Sequence, residues 1–572
     1  MAINKAKIHI GILGGGPSGM FIYKRLAESG RADLEITIIE RKETLGIGMP
    51  YSAEGACDEH ITNVSGNEIP ELVTPVKEWI KTAPVALLKR FDMEPGKFND
   101  YKVMPRLLFG EYLSDQFDLL QQQARKAGIV THILTNAVII DITDDPAANK
   151  ATVITEAGSH RFDHIIVSTG HNWPRKHEGT VPGYFDSPYP PAKLALRTQY
   201  PVAIKGASLT AVDAIRTLAR HNGRFTEQDN KTVFETAEQS RGFKLVMHSL
   251  DGLLPAIRFH LEDSHLSKDS VLSEQEMKEL MAANDGFVPL DPVFEHSFKE
   301  PLREQDPEFY EKIRNMSIEE FVDHMMSLRE RLDAFLLFKA EYAEAGQSIK
   351  RRESVHWKEM LAVLSFAMNY PAKHFSAEDM LRLKKVLMPL ISIVIAFVPQ
   401  SSCRELLALY DAGVLSLVPV DKDSEVIPQP EGGIMYKYAD EEGKPQSVPY
   451  QLFVDCTGQR HFMYDEFPFP GLYTGGAISP ARLRFRKVSE AVKAMEEGKE
   501  VERDSDGHYY LRVPGIAIND NFQVLDRYGA FNPRIYMMAV PYIGGYNPDY
   551  SGLDFCEAAS KRIIESLPGE PV

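Results

Sequence analysis

Short apolar runs separated by glycine turns and amphipathic stretches open the chain, and this pattern is typical of an α/β unit. Residues 8–13 form an apolar run of strand length, and residues 20–30 place apolar side chains at helical spacing before a terminal glycine. A second apolar run, LEITIIE, covers residues 34–40. The pattern predicts a strand, a glycine turn, a helix and a second strand, in that order.

The turn between the first strand and the helix, GILGGGPSGM, has the G-x-G-x-x-G spacing of dinucleotide-binding folds. Gly14 would make the tight turn, Gly16 would let the backbone approach a pyrophosphate, and Gly19 would allow the helix to pack closely on the strand. Glu40, 21 residues after Gly19, would accept both ribose hydroxyls of an adenosine. The alternative is a strand, turn and helix without a ligand. The predicted phosphate cradle comprises Gly14, Gly16, Pro17, Ser18 and Gly19.

Two further segments lie close to this predicted site in the sequence. The stretch TLGIGMPYSAEG contains Gly48, and its position directly after Glu40 favours a cofactor contact over a plain surface loop. The segment HITNVSG supplies Asn63, and Arg106 stands near the start of the amphipathic helix predicted in PRLLFGEYLSDQF. A turn-capping asparagine and a surface arginine are the alternatives for these two residues.

A third apolar strand ends in the segment STGHNWP, which carries Thr169, Gly170 and His171. Its T-G-H-x-x-P shape is similar to the interdomain segment of N-hydroxylating flavoenzymes. Together with the glycine cluster, GIGMPYS and PRLLFGEYL, it makes the chain resemble the bacterial FAD/NAD(P)-binding protein family. These two-dinucleotide-binding flavoproteins are related to the class B flavin N-hydroxylating monooxygenases. The resemblance covers most of the chain apart from its middle.

This resemblance implies bound FAD, with Thr169 and Gly170 at the cofactor and NAD(P)H as the reductant. The F-x-G-x-x-x-H fingerprint of Baeyer–Villiger enzymes is absent, so that chemistry is not expected. Catalysis would require the nicotinamide and then the substrate to lie over the flavin. The candidate catalytic residues are Asn63, His171 and Arg106, the last as a bidentate partner of a substrate carboxylate.

A second strand, turn and helix is predicted in PVAIKGASLTAVDAIRTLA. Its turn reads Gly206-x-Ser208-x-x-Ala211, and alanine at the third position still permits close packing of the helix. Ser208 departs from the pattern because its side chain occupies space beside a pyrophosphate, although its hydroxyl could bond a phosphate oxygen. We predict NAD(P)H binding here, and a nucleotide-free Rossmann-like support domain is the alternative.

The choice between NADH and NADPH depends on the turn after the strand FKLVMHS. Asp251 would repel a 2′-phosphate and accept from a 2′-hydroxyl, and Arg258 is the nearby cation. The charge of Asp251 therefore slightly favours NADH over NADPH. A solvated turn charge is the alternative for Asp251.

The middle of the chain, residues 260–398, has amphipathic helical spacing and few glycines. Such a helical insertion would cap the cleft and set substrate choice, or it would form a packing or oligomer surface. The basic run KRRES, residues 350–354, would meet an anionic ligand or form a solvated helix face. The clearest steps of three and four residues join Phe321, Met325, Leu328, Leu332 and Phe335.

The α/β pattern returns after residue 400 and reaches a second Thr-Gly in the segment 456–458, which resembles a return crossing into the FAD domain. Cys456 has no paired cysteine nearby, which favours a buried strand residue over a redox role. The last strand ends in Val540-Pro541 where relatives carry Gly-Asp. The candidates for residues near the flavin are Gly544, Gly545, Gly552 and Leu553.

Composition excludes several classes of protein. The 572 residues carry a net charge of −17, which argues against nucleic acid or an anionic membrane as a partner. Four scattered cysteines favour a reduced, cytoplasmic setting, and none of the 17 histidines has a recognisable metal spacing, so we predict no metal. The apolar run 386–398 contains Pro389 and is too short for membrane insertion.

We therefore predict an α/β fold with two Rossmann-like dinucleotide-binding domains and a helical insertion. The FAD-binding domain would comprise residues 1–198 and 453–572, the NAD(P)-binding domain 199–259 and 399–452, and the insertion 260–398. The expected function is that of an FAD-dependent oxidoreductase reduced by NAD(P)H, a monooxygenase that hydroxylates a small substrate such as an amino acid or amine. The alternatives are an NAD(P)H dehydrogenase without oxygen insertion and a flavin-bound sensor or assembly protein, and an oligomer is compatible with each.

Overall fold

The computed structural model describes residues 7–171, 173–250, 252–262, 264, 271–548 and 552–568. Two largely parallel sheets form its framework, and a group of helices from the middle of the chain packs against both. We call these the first sheet, the second sheet and the middle helices.

The first sheet has six strands, and all neighbours are parallel except one antiparallel pair at an edge. Its central strands are apolar at successive positions because helices or loops cover both faces. Helices Pro17–Glu28 and Arg106–Lys126 pack on this sheet, and Leu553–Ser566 packs on the first of them. In spatial order the strands are Gln523–Leu525, Phe531–Met537, His164–Val167, Ile8–Leu13, Leu34–Ile39 and Val130–Leu134.

The second sheet has five strands, all parallel to their neighbours. Helices Leu209–Asn222 and Gln400–Asp411 pack together beside it. A long hairpin, Gly223–Gln228 with Lys231–Thr236, extends from the first of these helices. In spatial order the strands are Tyr184–Phe185, Leu452–Asp455, Pro201–Lys205, Lys244–Ser249 and Leu415–Pro419.

The two sheets repeat one arrangement. A three-stranded antiparallel sheet, Ile139–Asp145, Lys150–Thr155 and Gly158–Phe162, precedes the strand that leads into Thr169-Gly170. A second one, Glu425–Pro428, Ile434–Ala439 and Pro445–Tyr450, precedes the strand that leads into Thr457-Gly458. Each Thr-Gly therefore stands where the chain leaves one sheet towards the other.

The remaining strands and helices lie around the first sheet. The hairpin Ile61–Ser65 with Val103–Pro105 precedes the helix that begins at Arg106. Near the C-terminus, Pro480–Arg484, Val501–Arg503 and Tyr509–Ile516 form a separate antiparallel sheet. The short helices in these regions are Val76–Thr82, Val85–Arg90, Pro470–Thr474 and Val488–Glu496.

Most of the middle helices are short, and they contain two π-helical turns. The apolar pattern between Phe321 and Phe335 is divided between two helices, because the Asp333 side chain caps a new helix by accepting from the N–H groups of Phe335 and Leu336. Leu328 and Leu332, close to this break, are about half exposed. The helices are Glu274–Ala283, Leu290–Phe294, Glu295–Lys299, Glu300–Gln305, Pro307–Ile313, Ile318–Glu330, Ala334–Arg351, His356–Met368, Ala377–Arg382, Leu383–Leu387 and Met388–Val394.

The middle helices share apolar cores with both sheets. Most of their buried residues join the core of the first sheet, among them Phe298, Phe321 and Leu364. Phe335 and Phe338 instead join the core of the second sheet. The helices therefore bridge the two sheets, and the predicted α/β class with two Rossmann-like units and a helical insertion is confirmed. Within the described residues, no helix has the length and apolar character needed to span a membrane.

Candidate functional site

The turn after the first strand forms a cradle of backbone, which we call the first cradle, residues 14–19. Gly14 has a φ of +109°, and a Cβ added there would lie 2.7 Å from the carbonyl oxygen of Ser168. A Cβ at Gly19 would lie 2.0 Å from the carbonyl oxygen of Gly14, so only glycine permits the observed contact of helix and strand. At Gly16 an added Cβ would approach the Cα of Gly48 to 3.1 Å, which brings the loop of Gly48 to the rim of this cradle.

The first cradle has the features that a dinucleotide requires. The helix Pro17–Glu28 follows Gly16, which offers no side-chain cap, so the first N–H groups of the helix can face an anion. Glu40 is fixed at the end of the adjoining strand, because its carboxylate accepts from the N–H of Gly15 at 2.7 Å and the N–H of Lys42 at 3.0 Å. The Oγ1 atom of Thr169 is buried and has no hydrogen-bond partner within the described residues. These residues fit bound FAD.

The second strand and helix form an equivalent turn, which we call the second cradle, residues 206–211. Gly206 has a φ of +107°, and an added Cβ would lie 2.8 Å from the carbonyl oxygen of Cys456. Ser208 precedes the helix Leu209–Asn222, but its side chain caps none of the helix N–H groups. Ala211 is fully buried, as close packing of the helix requires. The residues therefore fit a second nucleotide, with the Ser208 hydroxyl free to meet it.

A cavity of about 450 Å³ lies between the second cradle, the loop that follows Gly48 and the middle helices. It brings together the three predicted catalytic residues, Asn63, Arg106 and His171, and Ser208 of the second cradle. The middle helices supply one wall, with Met388, Ile391, Ser392, Ile395 and Ala396. The other wall residues are Met49, Pro50, Tyr51, Gly55, Thr62, Trp173, Tyr189, Leu209, Thr210, Gly458, Gln459, Arg460, His461, Val540, Pro541 and Pro548.

His171 is held by the second Thr-Gly segment. Its Nδ1 atom is hydrogen-bonded to the side-chain oxygen of Gln459, so Nδ1 carries the proton and donates it. Burial lowers the pKa of His171, which keeps the ring neutral at neutral pH. Nε2 is then the unprotonated nitrogen, and it can accept a hydrogen bond.

Arg106 is already engaged in the structure. Its Nη1 lies 2.5 Å from Oδ2 of Asp213, and its Nε donates to the carbonyl oxygen of Ile61 at 3.1 Å. Tyr189 donates its hydroxyl to the same Asp213 oxygen at 2.7 Å. Burial alone would raise the pKa of Asp213, but Arg106, His60 and the hydrogen bond from Tyr189 together more than offset it and hold that pKa below its usual value. A substrate carboxylate that binds Arg106, as the sequence predicts, would therefore have to share the guanidinium with Asp213.

Asn63 is positioned by a buried ion pair. Arg258 donates to the carbonyl oxygen of Asn63 and to the carboxylate of Glu68, and both charged side chains are less than a tenth exposed. Arg258 therefore lies beside the strand Ile61–Ser65, and its charge is matched there by Glu68. The other residue of the predicted nicotinamide turn, Asp251, lies outside the described residues.

The residues expected near the flavin divide into two groups. Gly552 and Leu553 line a smaller cavity of about 90 Å³, which also contains Asn63. Gly545 faces the strand Tyr509–Ile516 instead, since its N–H donates to the carbonyl oxygen of Pro514 at 2.7 Å. Gly544 lies against the His461 ring, where a Cβ would be 2.1 Å from the ring carbon Cγ. The first pair faces a cavity, and the second pair supports the wall.

Several lining residues were missed by the sequence reasoning. Gln459 follows the second Thr-Gly as His171 follows the first, so an internal comparison of the two segments could have found it. Trp173 stands within the quoted STGHNWP segment, and its indole N–H is buried without a partner in the described part of the chain. The apolar wall from Met388 to Ala396 gave no local signal beyond helical spacing.

Other reactive groups lie outside this site or are inactive in their surroundings. Cys456 is buried, and burial raises its thiol pKa well above the usual value, so no thiolate forms there at neutral pH. Lys350 and Arg351 are exposed, which agrees with a solvated helix face. Asp504, Asp506 and His508 come together in an exposed turn, where Asp504 accepts from the backbone N–H groups of the other two.

These features define a Rossmann-type flavoprotein architecture with two glycine cradles. Residues 11–172 match the family model described as FAD-NAD(P)-binding, and residues 273–395 match the one described as YdhS-like middle domain. The predicted FAD and NAD(P) cofactors and the recognised flavoprotein relationship are thereby confirmed. The chain is 28% identical over 470 residues to the uncharacterized protein YdhS of Escherichia coli (strain K12). The match covers 81% of this chain and 85% of that protein.

The solved structures to which this chain is similar include hydroxylases and reductases. The ornithine N-hydroxylase of Kutzneria sp. 744 is 12% identical, with a TM-score of 0.43 over 98% of each chain. The cadaverine monooxygenase of Erwinia amylovora is 10% identical, with a TM-score of 0.44 over 99% of this chain and 96% of that one. Thioredoxin reductase of Lactococcus lactis is 12% identical, with a TM-score of 0.37 over 98% of each.

Proposed function

We propose that the chain is an FAD-dependent oxidoreductase, reduced by NAD(P)H, that uses oxygen to hydroxylate a small substrate. The observation that supports this function is the single cavity of about 450 Å³ into which Asn63, His171 and Ser208 all open. A reductant held at the second cradle would reach this cavity directly, and a flavin held at the first would reach it past Gly48, whose neighbours Met49 and Pro50 line the cavity. Bound FAD would supply the hydride acceptor and the route of electrons to oxygen.

The proposed FAD contacts come from the first sheet and the loops above it. Glu40 would hold the ribose, the first cradle the pyrophosphate, and Thr169 would offer its unpartnered hydroxyl. The proposed NAD(P)H contacts are Gly206, Ser208 and Ala211. The remaining FAD contacts in this proposal are Gly14, Gly16, Pro17, Ser18, Gly19, Gly48, Gly170, Gly552 and Leu553, with Gly545 as a supporting residue.

In this proposal the residues that line the cavity have different roles. His171 would accept a hydrogen bond at Nε2, and Asn63 would offer its side-chain amide to the ligand or the cofactor. The apolar side chains of Ile391 and Ile395 would exclude water from one wall. This division assigns residues 1–198 and 453–572 to FAD, 199–259 and 399–452 to NAD(P)H, and 260–398 to the cover of the cleft.

The first experiment is a spectroscopic one on the purified chain with its cofactor. We expect a flavin spectrum that NADH or NADPH bleaches without oxygen and that oxygen restores. A matched variant, Gly206→Val, should retain the flavin spectrum and lose the bleaching, because its Cβ would meet the Cys456 carbonyl. Flavin that stays oxidised with both nucleotides would overturn the proposal.

A second measurement separates a monooxygenase from a dehydrogenase. Amino acids, amines and carboxylic acids are screened for stimulated oxygen uptake, together with the yield of hydroxylated product per nucleotide consumed. Coupled product formation supports hydroxylation. Rapid bleaching with slow reoxidation by oxygen, and fast reoxidation by a quinone, would instead identify a dehydrogenase. A cytoplasmic location is part of the same proposal.

A further inference from the structure

We infer that Gln459 is a positioning residue, which fixes the tautomer of His171 so that the cavity recognises an uncharged N–H or O–H donor on its ligand. The inference rests on the proposed function, because it names the chemistry that the same cavity binds. It adds a role for Gln459, which the proposed function leaves unassigned.

The hydrogen bond between His171 and Gln459 joins the two segments that leave the sheets. His171 follows Thr169-Gly170, and Gln459 follows Thr457-Gly458, so each is the first residue after its glycine. The two residues are 288 positions apart, yet Nδ1 of the ring is hydrogen-bonded to Oε1 of the amide. Both residues line the cavity of about 450 Å³, so this bond is part of the cavity wall.

The amide oxygen of Gln459 determines which ring nitrogen carries the hydrogen. An amide oxygen can only accept, so Nδ1 donates and Nε2 of the neutral ring is left as an acceptor. A carboxylate in the same place would select the same tautomer, but its charge would also stabilise the imidazolium. Burial lowers the pKa of His171, and the hydrogen bond to the uncharged amide opposes this only in part. Gln459 therefore orients a ring that stays neutral.

The Nε2 atom of His171 is available to a ligand. Among the described residues Nε2 has no hydrogen-bond partner, and it is not fully buried. The ring centroids of His171 and Trp173 are 6.4 Å apart, and both residues line the cavity. A ligand that lies beside Trp173 and carries an N–H or O–H group can therefore donate to Nε2.

The charged side chains of the cavity wall are already paired. Arg106 lies 2.5 Å from Asp213, and Arg460 is bonded to Glu466. The described lining residues include no Asp, Glu or Lys. A charged ligand group would lose its water and find no unmatched opposite charge among these residues, which is strongly unfavourable. An uncharged donor, such as an amide or an alcohol, avoids this penalty.

Two ligands can bring such a donor to Nε2. One is the substrate, and the other is the carboxamide of a nicotinamide held at the second cradle, because Ser208 lines the same cavity. The chemistry that they share is an uncharged N–H or O–H group. The two sources can be separated with an acetylpyridine nucleotide, in which a methyl group replaces the NH₂ of the carboxamide.

The test uses the FAD-loaded full chain without nucleotide and four probes: benzyl alcohol, its isomer anisole, benzoate and benzylamine. Binding is followed by tryptophan fluorescence, because Trp173 lies in the cavity wall, and by the visible flavin spectrum. Benzyl alcohol and anisole contain the same atoms, but only the alcohol donates a hydrogen bond. We expect the alcohol to bind about fivefold more tightly than anisole, the effect of one hydrogen bond. Both charged probes should bind more weakly than the alcohol.

Two substitutions of Gln459 separate its position from its lack of charge. Gln459→Met removes the acceptor, so the preference for the alcohol over anisole should be lost. Gln459→Glu keeps an acceptor but stabilises the imidazolium, so the preference should remain at high pH and decline as the pH falls and Nε2 takes up a proton. In the unaltered chain the pKa of His171 lies below 6.5, so the preference should stay constant above that pH.

Gln347→Met is the matched control, because it makes the same change at an exposed position in the helix Ala334–Arg351. All four titrations of this variant should equal those of the unaltered chain. Equal binding of benzyl alcohol and anisole to the unaltered chain would overturn the inference, as would an unchanged preference in Gln459→Met or a loss at every pH in Gln459→Glu. Benzoate or benzylamine binding more tightly than the alcohol would overturn the uncharged class.

The source of the donor is found by titrating NAD⁺ and its acetylpyridine analogue into the same variants. If Gln459→Met weakens binding of NAD⁺ but not of the analogue, the donor is the carboxamide. If both nucleotides bind as they do to the unaltered chain, the donor belongs to the substrate. Each result supports the acceptor role of Nε2 and assigns its partner.

The proposed function is tested separately in the same preparations. Bleaching by NADH or NADPH is measured without any probe, whereas the fluorescence titrations need no reduction of the flavin. A missing bleach with an intact preference for the alcohol counts against the oxidoreductase proposal alone. Normal bleaching without that preference counts against the role of Gln459 alone.

Discussion

Arg106 and Asp213 form a buried ion pair that joins the two halves of the framework. Arg106 begins the helix that packs on the first sheet, and Asp213 lies in the helix beside the second sheet. Nη1 is 2.5 Å and Nη2 is 3.3 Å from the two carboxylate oxygens, and Tyr189 donates to Oδ2 as well. The pair therefore holds the second cradle in a fixed position relative to Asn63 and His171.

Removing the carboxylate from this pair should destabilise the protein. Asp213→Asn leaves the Arg106 charge buried without its partner, and we expect a loss of about 3–5 kcal/mol in the free energy of unfolding. Urea unfolding followed by tryptophan fluorescence measures it. The control is Glu235→Gln, which breaks an exposed pair with Arg224 and should change stability by less than about 1 kcal/mol.

The outcome of this experiment decides the role of Arg106. An unchanged unfolding midpoint in Asp213→Asn, together with lost stimulation by substrate, would mean that Arg106 acts on the ligand. A lowered midpoint would mean that its main partner is Asp213.

Substitutions in the two cradles should cause two different defects, one in FAD binding and one in reduction by NAD(P)H. Gly14→Ala forces a Cβ to within 2.7 Å of the Ser168 carbonyl at a φ of +109°, so bound FAD should fall by about tenfold or more through strain of about 1–3 kcal/mol. Gly206→Ala creates the same conflict with the Cys456 carbonyl. The Gly206→Ala variant should retain FAD, but NAD(P)H should reduce that FAD more slowly. FAD content per chain and the rate of anaerobic bleaching distinguish the two.

A helix glycine supplies the control for both cradle variants. Gly346 lies in the helix Ala334–Arg351, and a Cβ there would meet no atom within 4 Å. Gly346→Ala should leave both measurements unchanged. Equal loss of FAD in Gly14→Ala and Gly206→Ala would contradict the assignment of separate sites.

The two sheets and their connecting turns could be predicted from the sequence because each is encoded by residues that are close together in the chain. A glycine with positive φ between a strand and a helix follows from a few neighbouring residues, and this signal occurs at both Gly14 and Gly206. The two Thr-Gly segments are local in the same way. The fold class depended on these motifs and on apolar runs that both sheets bury.

The composition of the cavity could not be predicted because it depends on distant partners. Arg106 and Asp213 are separated by 107 positions, and His171 and Gln459 by 288. Arg258 looked like part of a nucleotide turn, but its partner Glu68 lies 190 positions away. Such pairs are set by how the sheets and the middle helices pack, and no local pattern encodes them.

Ser208 should assist nucleotide binding through its hydroxyl. The side chain caps no helix N–H and lies on the cavity wall, so it can donate to a phosphate oxygen. We expect Ser208→Ala to weaken NAD(P)H binding about fivefold, in keeping with about 1 kcal/mol for one hydrogen bond. The dissociation constant is obtained from the nucleotide dependence of anaerobic bleaching.

The Ser208→Gly variant separates the effect of the hydroxyl's hydrogen bond from the effect of the side chain's size. Loss of a hydrogen bond should weaken binding in the glycine variant as in the alanine variant. Tighter binding by Ser208→Gly would mean that the side chain obstructs the pyrophosphate, and FAD content should be the same in all three proteins.

His248 should make the protein less stable as the pH falls. Its ring is stacked on Tyr436 with centroids 4.1 Å apart, and burial lowers its pKa from 6.5 to about 4. Above pH 6.5 the ring is neutral in the folded and unfolded states, but below that pH the unfolded chain takes up a proton that the folded chain excludes. This difference should remove about 3 kcal/mol of stability by pH 4. His248→Phe keeps a ring against Tyr436 and cannot be protonated, so its stability should decline less between pH 6.5 and 4, as measured by urea midpoints. Parallel pH curves for the two proteins would mean that the folded state accommodates a charged His248.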